Sequence, residues 1–382
     1  MQFRRGLVCL LCLAVFAAAG MIFTARAQQG GAAATPHPAA PQAPASQPTR
    51  TAGQQFKNVQ VLKDVPADQL ISAMQFITAS LGVDCEYCHV ERAFDKDDKK
   101  PKLAARKMME MVANINKENF DGHREVTCNS CHRGAAHPMA IPAITSDTKP
   151  MMMAGGEAIP ASEPPNAEDL LDKYLAAEGG TSALKKIMSR VQKGTITAFG
   201  DQQFPIEIYS QAPDKRFSVT HFKQGDSITA YNGKDGWLQT QARVHVMNAQ
   251  EKAEAHIDAD IAFAANVRTM YAKFTTRPGE QIDGHDTWMV VGRTEGQPPL
   301  RLYLDQKTGL LVRMVRYTDS PLGYNPTQID YSDYRDADGV KVPYQWTLAR
   351  PGNHFTIKVT ELQQNVPVDD AKFVPPPPQP AH

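Results

Sequence analysis

Cys85-Glu86-Tyr87-Cys88-His89 and Cys128-Asn129-Ser130-Cys131-His132 are two copies of one pattern, C-x-x-C-H, and they decide how the first part of this 382-residue chain is read. Two cysteines separated by two residues can reach the two vinyl groups of one porphyrin. The adjoining histidine is then placed to offer an imidazole nitrogen to the iron. C-x-x-C-H is the attachment signature of c-type haem. The pair implies two covalently bound c-type haems, tethered by Cys85, Cys88, Cys128 and Cys131, with His89 and His132 as proximal metal ligands. A zinc site pooling four thiolates, or a set of redox disulfides, would leave both histidines without a role.

The N-terminus agrees. Arg4 and Arg5 precede an apolar stretch, Leu7 to Phe23, which closes on Ala25-Arg26-Ala27. That is the layout of a cleavable secretory signal peptide over residues 1–27. Cys9 and Cys12 would leave with it, so of six cysteines only the four in the motifs would remain. Export to the periplasm as a soluble protein is expected, with peripheral membrane association as an accessory; an uncleaved signal acting as an anchor is the competing reading. Basic and acidic residues balance at 41 each. Loss of Arg4, Arg5 and Arg26 would leave a small negative excess, which excludes nucleic acid as a partner.

Proline marks the organisation. A Pro/Ala-rich tether is expected over 28–55 and a Pro-rich linker over 139–165, with a Pro-rich tail at 375–382. Between them lie a dihaem module, 56–138, and a longer β-rich domain, 166–374. In the first, Asp64 can cap a helix that enters with Pro66 and leaves at Gly82, with Leu70, Met74, Ile77 and Leu81 on one face. A second helix runs from Pro101 towards Asn119 with Ala104, Met108, Met111 and Ile115 as its apolar face. Each helix precedes one motif, so the module reads as a short internal repeat. So small a segment has little core, and two porphyrins would supply much of its buried apolar surface. A methionine on each preceding helix could fill the sixth iron position, Met74 for the first and Met108 for the second; histidine and methionine ligation suits electron transfer. Ordinary core packing is the plain reading of both methionines. Met109, Met111, His123 and His137 compete for the second iron.

The stretch from Phe56 to Gly134 closely resembles half of the cytochrome c subunit of photosynthetic reaction centres. Lys57 to Leu62 match that family's KNV-x-VL opening, Ala105 to Met111 its AR-x-M-x-EM helix, and Thr127 to Gly134 its TC-x-x-CHRG ending. The resemblance implies electron carriage and places the axial methionines on Met74 and Met108. The family subunit carries four haems, whereas this chain has two motifs and then changes character. A histidine that ligates the other half in the family lies near His123, whose partner haem has no counterpart here.

The run Asp95 to Lys100 alternates in sign and reads as a solvated loop or a patch for docking an electron partner. Arg133 could pair with a haem propionate or simply face solvent. Beyond residue 166, a helix over Ala167 to Met188 is followed by alternating runs at 194–199, 204–210, 216–222, 287–293, 300–305, 310–318, 340–348 and 355–362. Asn232-Gly233, Thr308-Gly309 and Asp338-Gly339 mark turns, and a helix is expected around Ala249 to Met270. The run Tyr303 to Met314 resembles outer-membrane lipoprotein-sorting proteins, whose half-barrel shelters acyl chains, and implies a hydrophobic ligand; a docking or spacer role is the other reading. His221, His245, His256, His285 and His354 are scattered and read as structural. Met151, Met152 and Met153 could bind copper(I).

The expected fold is a multidomain α plus β chain: a small α-helical dihaem module, then a mainly antiparallel β domain, a curved sheet or half-barrel with helices. The expected function is electron transfer between redox protein partners, a membrane-bound electron-transfer complex among them, without enzymatic chemistry. A haem enzyme with one open iron and a lipid-binding protein with an accessory haem module are the alternatives.

Overall fold

The computed structural model describes residues 50–138, 164–241, 243–350 and 353–377. The expected signal peptide, most of the tether, nearly all of the linker, Met151 to Met153 and the end of the tail lie outside these residues. The described residues fall within one compact unit. No helix among them is long and apolar enough to cross a membrane.

The first part is helical: α1 (Ala52–Gln55), α2 (Leu70–Leu81), α3 (Cys85–Cys88), α4 (Lys100–Asn119) and α5 (Cys128–His132). Asp64 does not cap α2. A 3-10 turn, Ala67–Gln69, leads into it, with Pro66 before the turn and the Ala67 amide donating to the Arg50 carbonyl at 2.9 Å. The buried residues of α2 are Leu70, Ala73, Phe76, Ile77 and Ser80. This face is rotated from the expected one, so Met74 and Leu81 are only half-buried. The helix ends at Gly82, where φ is 65°. A Cβ there would collide with the Gly134 carbonyl, just beyond the second motif, so only glycine fits.

The second part is a thirteen-stranded sheet in the order β6-β5-β4-β3-β2-β1-β13-β12-β11-β10-β9-β8-β7. Its strands are β1 (Ser189–Ala198), β2 (Gln202–Gln211), β3 (Lys215–Phe222), β4 (Gly225–Asn232), β5 (Gly236–Gln239), β6 (Val244–Val246), β7 (Lys273–Pro278), β8 (Thr287–Arg293), β9 (Leu300–Asp305), β10 (Leu311–Ser320), β11 (Gly323–Ala337), β12 (Val340–Arg350) and β13 (Asn353–Gln364). Every pairing is antiparallel, and the join of first to last strand runs from Arg190↔Gln364 to Thr197↔Thr356 with a bulge at Lys193/Gly194. Each expected run lies largely within a strand. The expected helix over 167–188 is split into α6 (Ala167–Ala177) and α7 (Gly180–Leu184), because Gly179 and Gly180 take φ of 118° and 78°. That over 249–270 becomes α8 (Ala249–Ala259) and α9 (Phe263–Met270), broken where the Asp260 carboxylate accepts the Ala262 amide at 2.9 Å.

Helices α6, α7 and α9 pack on one side of the sheet, where Leu171, Leu184 and Val267 meet Val290, Leu300, Leu302, Leu304 and Val340. The helical segment rests on the β10–β11 hairpin. Asn325 Nδ2 donates to the Ser72 carbonyl at 2.9 Å, Arg124 pairs with Asp319 at 2.6 Å, and Leu322 joins the cluster of Ala52, Leu62, Leu70 and Ala73.

Glu178, between α6 and α7, is carried into the interior. Burial pushes its carboxyl up to about 7, against the opposing Tyr174 hydrogen bond and Arg190 charge. A folded pKa above the ordinary 4.5 favours folding of the protonated form. Its own contribution to stability is therefore expected to be fully present below about 4.5 and to be lost as pH rises through about 7. Thermal melts of Glu178→Gln across that window should lose this decline; an unchanged pH profile would contradict the assignment.

Candidate functional site

Each C-x-x-C-H motif forms a single helical turn, which sets its cysteines on one side. The turns are nucleated by different caps. The Asp84 carboxylate accepts the Tyr87 amide at 3.0 Å to start α3, whereas Thr127 and Ser130 form a reciprocal capping box at α5, the Thr127 amide donating to Ser130 Oγ at 3.0 Å.

The two histidines are held alike. His89 Nδ1 lies 3.0 Å from the Phe94 carbonyl and His132 Nδ1 lies 2.9 Å from the Ala135 carbonyl. A carbonyl can only accept, so Nδ1 carries the hydrogen in both rings and Nε2 keeps its lone pair. Arg133 and Gly134, with φ of 49° and 83°, turn the chain back to bring Ala135 under His132; Arg133 is thus a turn residue. Burial holds the His89 imidazole below its ordinary pKa despite the Phe94 hydrogen bond, and the Lys102, Arg106 and Lys99 charges act in the same direction. The ring is thereby kept in the neutral form that binds a metal. Burial also raises the Cys88 and Cys128 thiols, the opposite of what a reactive redox thiol requires. All four cysteines are unpaired, and among the described residues no three His, Cys, Asp or Glu side chains gather as a metal group. The pooled-zinc and disulfide readings therefore have no geometry to rest on.

Helix α4 positions both motifs from one face. Lys102, 8 % exposed, donates to the Phe94 carbonyl at 2.9 Å and to the Lys96 carbonyl at 2.7 Å. It thus shares the acceptor of His89. Asp97 fixes this lysine at 3.0 Å and accepts Arg106 Nη1 and Nη2 at 2.9 and 3.0 Å. These partners hold its carboxyl well below the usual range, Arg106 first. The 95–100 run is therefore a stapled loop. About four turns along α4, buried Asn116 donates to the Val126 carbonyl at 2.8 Å and accepts the Val126 amide at 2.9 Å, pinning the chain beside Cys128.

The apolar face of α4 points the other way: Met108 and Met111 are each 43 % exposed, and Ala104 is exposed with them. An apolar stripe on a helix that touches both α3 and α5, together with paired cysteines and tautomer-fixed histidines, is a donor set and a surface that fit c-type haem. Met74 lies half-buried beside the α1–α2 cluster, which Met109 also joins. His123 and His137 are exposed. Lys102 and Asn116 escape a reading by periodicity, because a lysine and an asparagine on an amphipathic helix are assigned to solvent; their shared helical face is the only trace they leave.

Lys102 withdraws electron density from the carbonyl that His89 uses and adds positive charge beside the first motif. Both effects would favour the reduced state of a haem iron held at this motif. Lys102→Gln in the haem-loaded protein should lower the potential of the first haem and leave the second in place, as read by spectroelectrochemical titration. Equal shifts of both, or none, would contradict this role.

The comparisons with known proteins follow the same division. The photosynthetic reaction center cytochrome c subunit of Roseobacter denitrificans is 37 % identical over 97 residues, 22 % of this chain and 26 % of that protein. Cytochrome c-554 of Chloroflexus aurantiacus is 34 % identical over 125 residues, 28 % of this chain and 30 % of that protein. The chain thus spans between a quarter and a third of the length of these relatives. The β-rich part is similar to a lipoprotein-sorting protein domain from Vibrio parahaemolyticus, 14 % identical with a TM-score of 0.39 over 55 % of this chain and 97 % of that one. It is also similar to a LolA superfamily protein from Nitrosomonas europaea, 12 % identical with a TM-score of 0.37 over 55 % and 98 %. Residues 18–205, with both C-x-x-C-H motifs, match the model of the photosynthetic reaction centre cytochrome C subunit family.

Proposed function

We propose that this chain is a periplasmic dihaem c-type cytochrome that passes electrons between redox partners and performs no catalysis of its own. Haem, bound at both motifs, supplies one-electron chemistry at iron. The chain's residues set the terms. Cys85 and Cys88 tether one group, and Cys128 and Cys131 the other. His89 and His132 would present Nε2 while their Nδ1 hydrogens are tied to carbonyls, and Met74 and Met108 would supply the remaining ligands and so keep substrate off the metal.

The observation that carries the reading is the matched pair of histidine–carbonyl hydrogen bonds, 3.0 and 2.9 Å, one at each motif. A chance C-x-x-C-H has no reason to orient its histidine, let alone twice. The family that residues 18–205 match supports electron carriage. The names of the relatives support a membrane-bound electron-transfer complex as one partner, reached from the periplasm once residues 1–27 are removed.

A pyridine haemochrome assay should return two haems per chain. Met74→Ala and Met108→Ala should each lower the potential of one haem and change its spectrum, with the covalent count unchanged. If neither substitution alters spectrum or potential, the distal ligands lie elsewhere; a count of one would reject the dihaem reading.

A further inference from the structure

The two motif histidines make the same hydrogen bond, but the residues that accept it differ. At the second motif the acceptor is Ala135, set beneath His132 by the tight turn at Arg133 and Gly134. Its side chain is a single methyl group. At the first motif the loop is longer. Val90 and Ala93 close an antiparallel bridge, with the Ala93 amide donating to the Val90 carbonyl at 3.0 Å and Arg92 at a φ of 58°. The chain thereby returns to His89 with a phenylalanine. Phe94 offers its carbonyl to His89 Nδ1 and sets its ring beside the imidazole, the centroids 5.4 Å apart and the planes inclined at 56°. Among the described residues no aromatic ring packs in this way against His132.

The fold does not need the Phe94 ring. It is 58 % exposed and belongs to none of the apolar clusters of the described residues. Its backbone is nonetheless fixed, because buried Lys102 holds the Phe94 carbonyl at 2.9 Å and the Lys96 carbonyl at 2.7 Å. An exposed ring on an anchored backbone, set against one imidazole, is placed to act on that imidazole. The hydrogen bond alone leaves the imidazole plane loosely set, since a carbonyl oxygen accepts over a broad range of directions. A neighbouring ring narrows the range, because aromatic pairs prefer particular inclinations.

We infer that Phe94 is a positioning residue whose ring fixes the plane of the His89 imidazole, whereas His132 is oriented by its hydrogen bond alone. The inference rests on the reading of both motifs as haem sites and adds a difference between them. His89 faces its iron in one orientation; His132 keeps freedom to rock about its side-chain torsion. In an oxidised low-spin haem, the plane of the axial imidazole governs how unpaired spin is shared among the ring methyl groups. A fixed plane spreads their proton resonances, and a moving plane averages them together.

Proton NMR of the oxidised, full-length, haem-loaded protein tests this. Phe94→Ala should narrow the spread of methyl shifts at the first haem and leave those of the second in place. Phe94→Tyr, which keeps the ring, should preserve the spread. Unchanged shifts in Phe94→Ala would overturn the proposal, and so would a narrowing in Phe94→Tyr as large as in Phe94→Ala. Equal changes at both haems would mark a general loosening of the segment and overturn it as well. Should Phe94→Ala fail to accumulate, Phe94→Leu carries the same expectation. A pyridine haemochrome count on the same samples keeps the two readings apart. Two haems with shifts indifferent to Phe94 overturn the positioning role alone, whereas an unmodified protein without haem at the first motif overturns both.

Discussion

Two buried polar side chains on one face of α4 hold the haem segment in register. Lys102 captures the carbonyl that orients His89, and Asn116 captures both backbone groups of Val126 just ahead of the second motif. The segment has few apolar contacts of its own, so these directional bonds do what a larger hydrophobic core would do elsewhere. Asp97 and Arg106 extend the hold on the first motif, while Gly82 and Gly134 bring the end of α2 against the turn after the second. The histidine geometry at both motifs follows from this scaffold, and the opposite face of α4 remains free to present its methionines.

The motifs and the helices before them were legible because covalent haem attachment demands fixed spacing and because α2 and α4 are periodic. Periodicity identified the apolar face of α4 correctly. It could not show that the polar face is the buried one, since a lysine is assigned to water unless its partners are known, and those of Lys102 lie in a loop. The strands with clean alternation, such as Leu300–Asp305, were legible for the same reason that they pack. β11 was not: Pro326 interrupts it, and its polar and charged residues, among them Asp330, Asp333 and Asp336, mask the pleat. The helix breaks at Gly179 and Asp260 were hidden within apolar patterns that continue on either side.

The sheet's inward arginines were also invisible from sequence. Alternation places polar residues outside an antiparallel sheet, yet Arg190, Arg216 and Arg316 face inward. Only the fold shows that Arg316 is answered by Asp258 and Glu254. The contact of α2 with the β10–β11 hairpin joins the segment bearing the motifs to the sheet through Ser72, Asn325, Arg124 and Asp319.

The central proposal is that side chains of this chain would fill both iron coordination shells, which would make it an electron carrier. Carbon monoxide added to the reduced, haem-loaded protein tests this most directly, because the gas binds only where a coordination position is open. Unchanged absorption at both haems is the predicted result; a carbon monoxide spectrum at either haem would reveal an open iron and contradict the account.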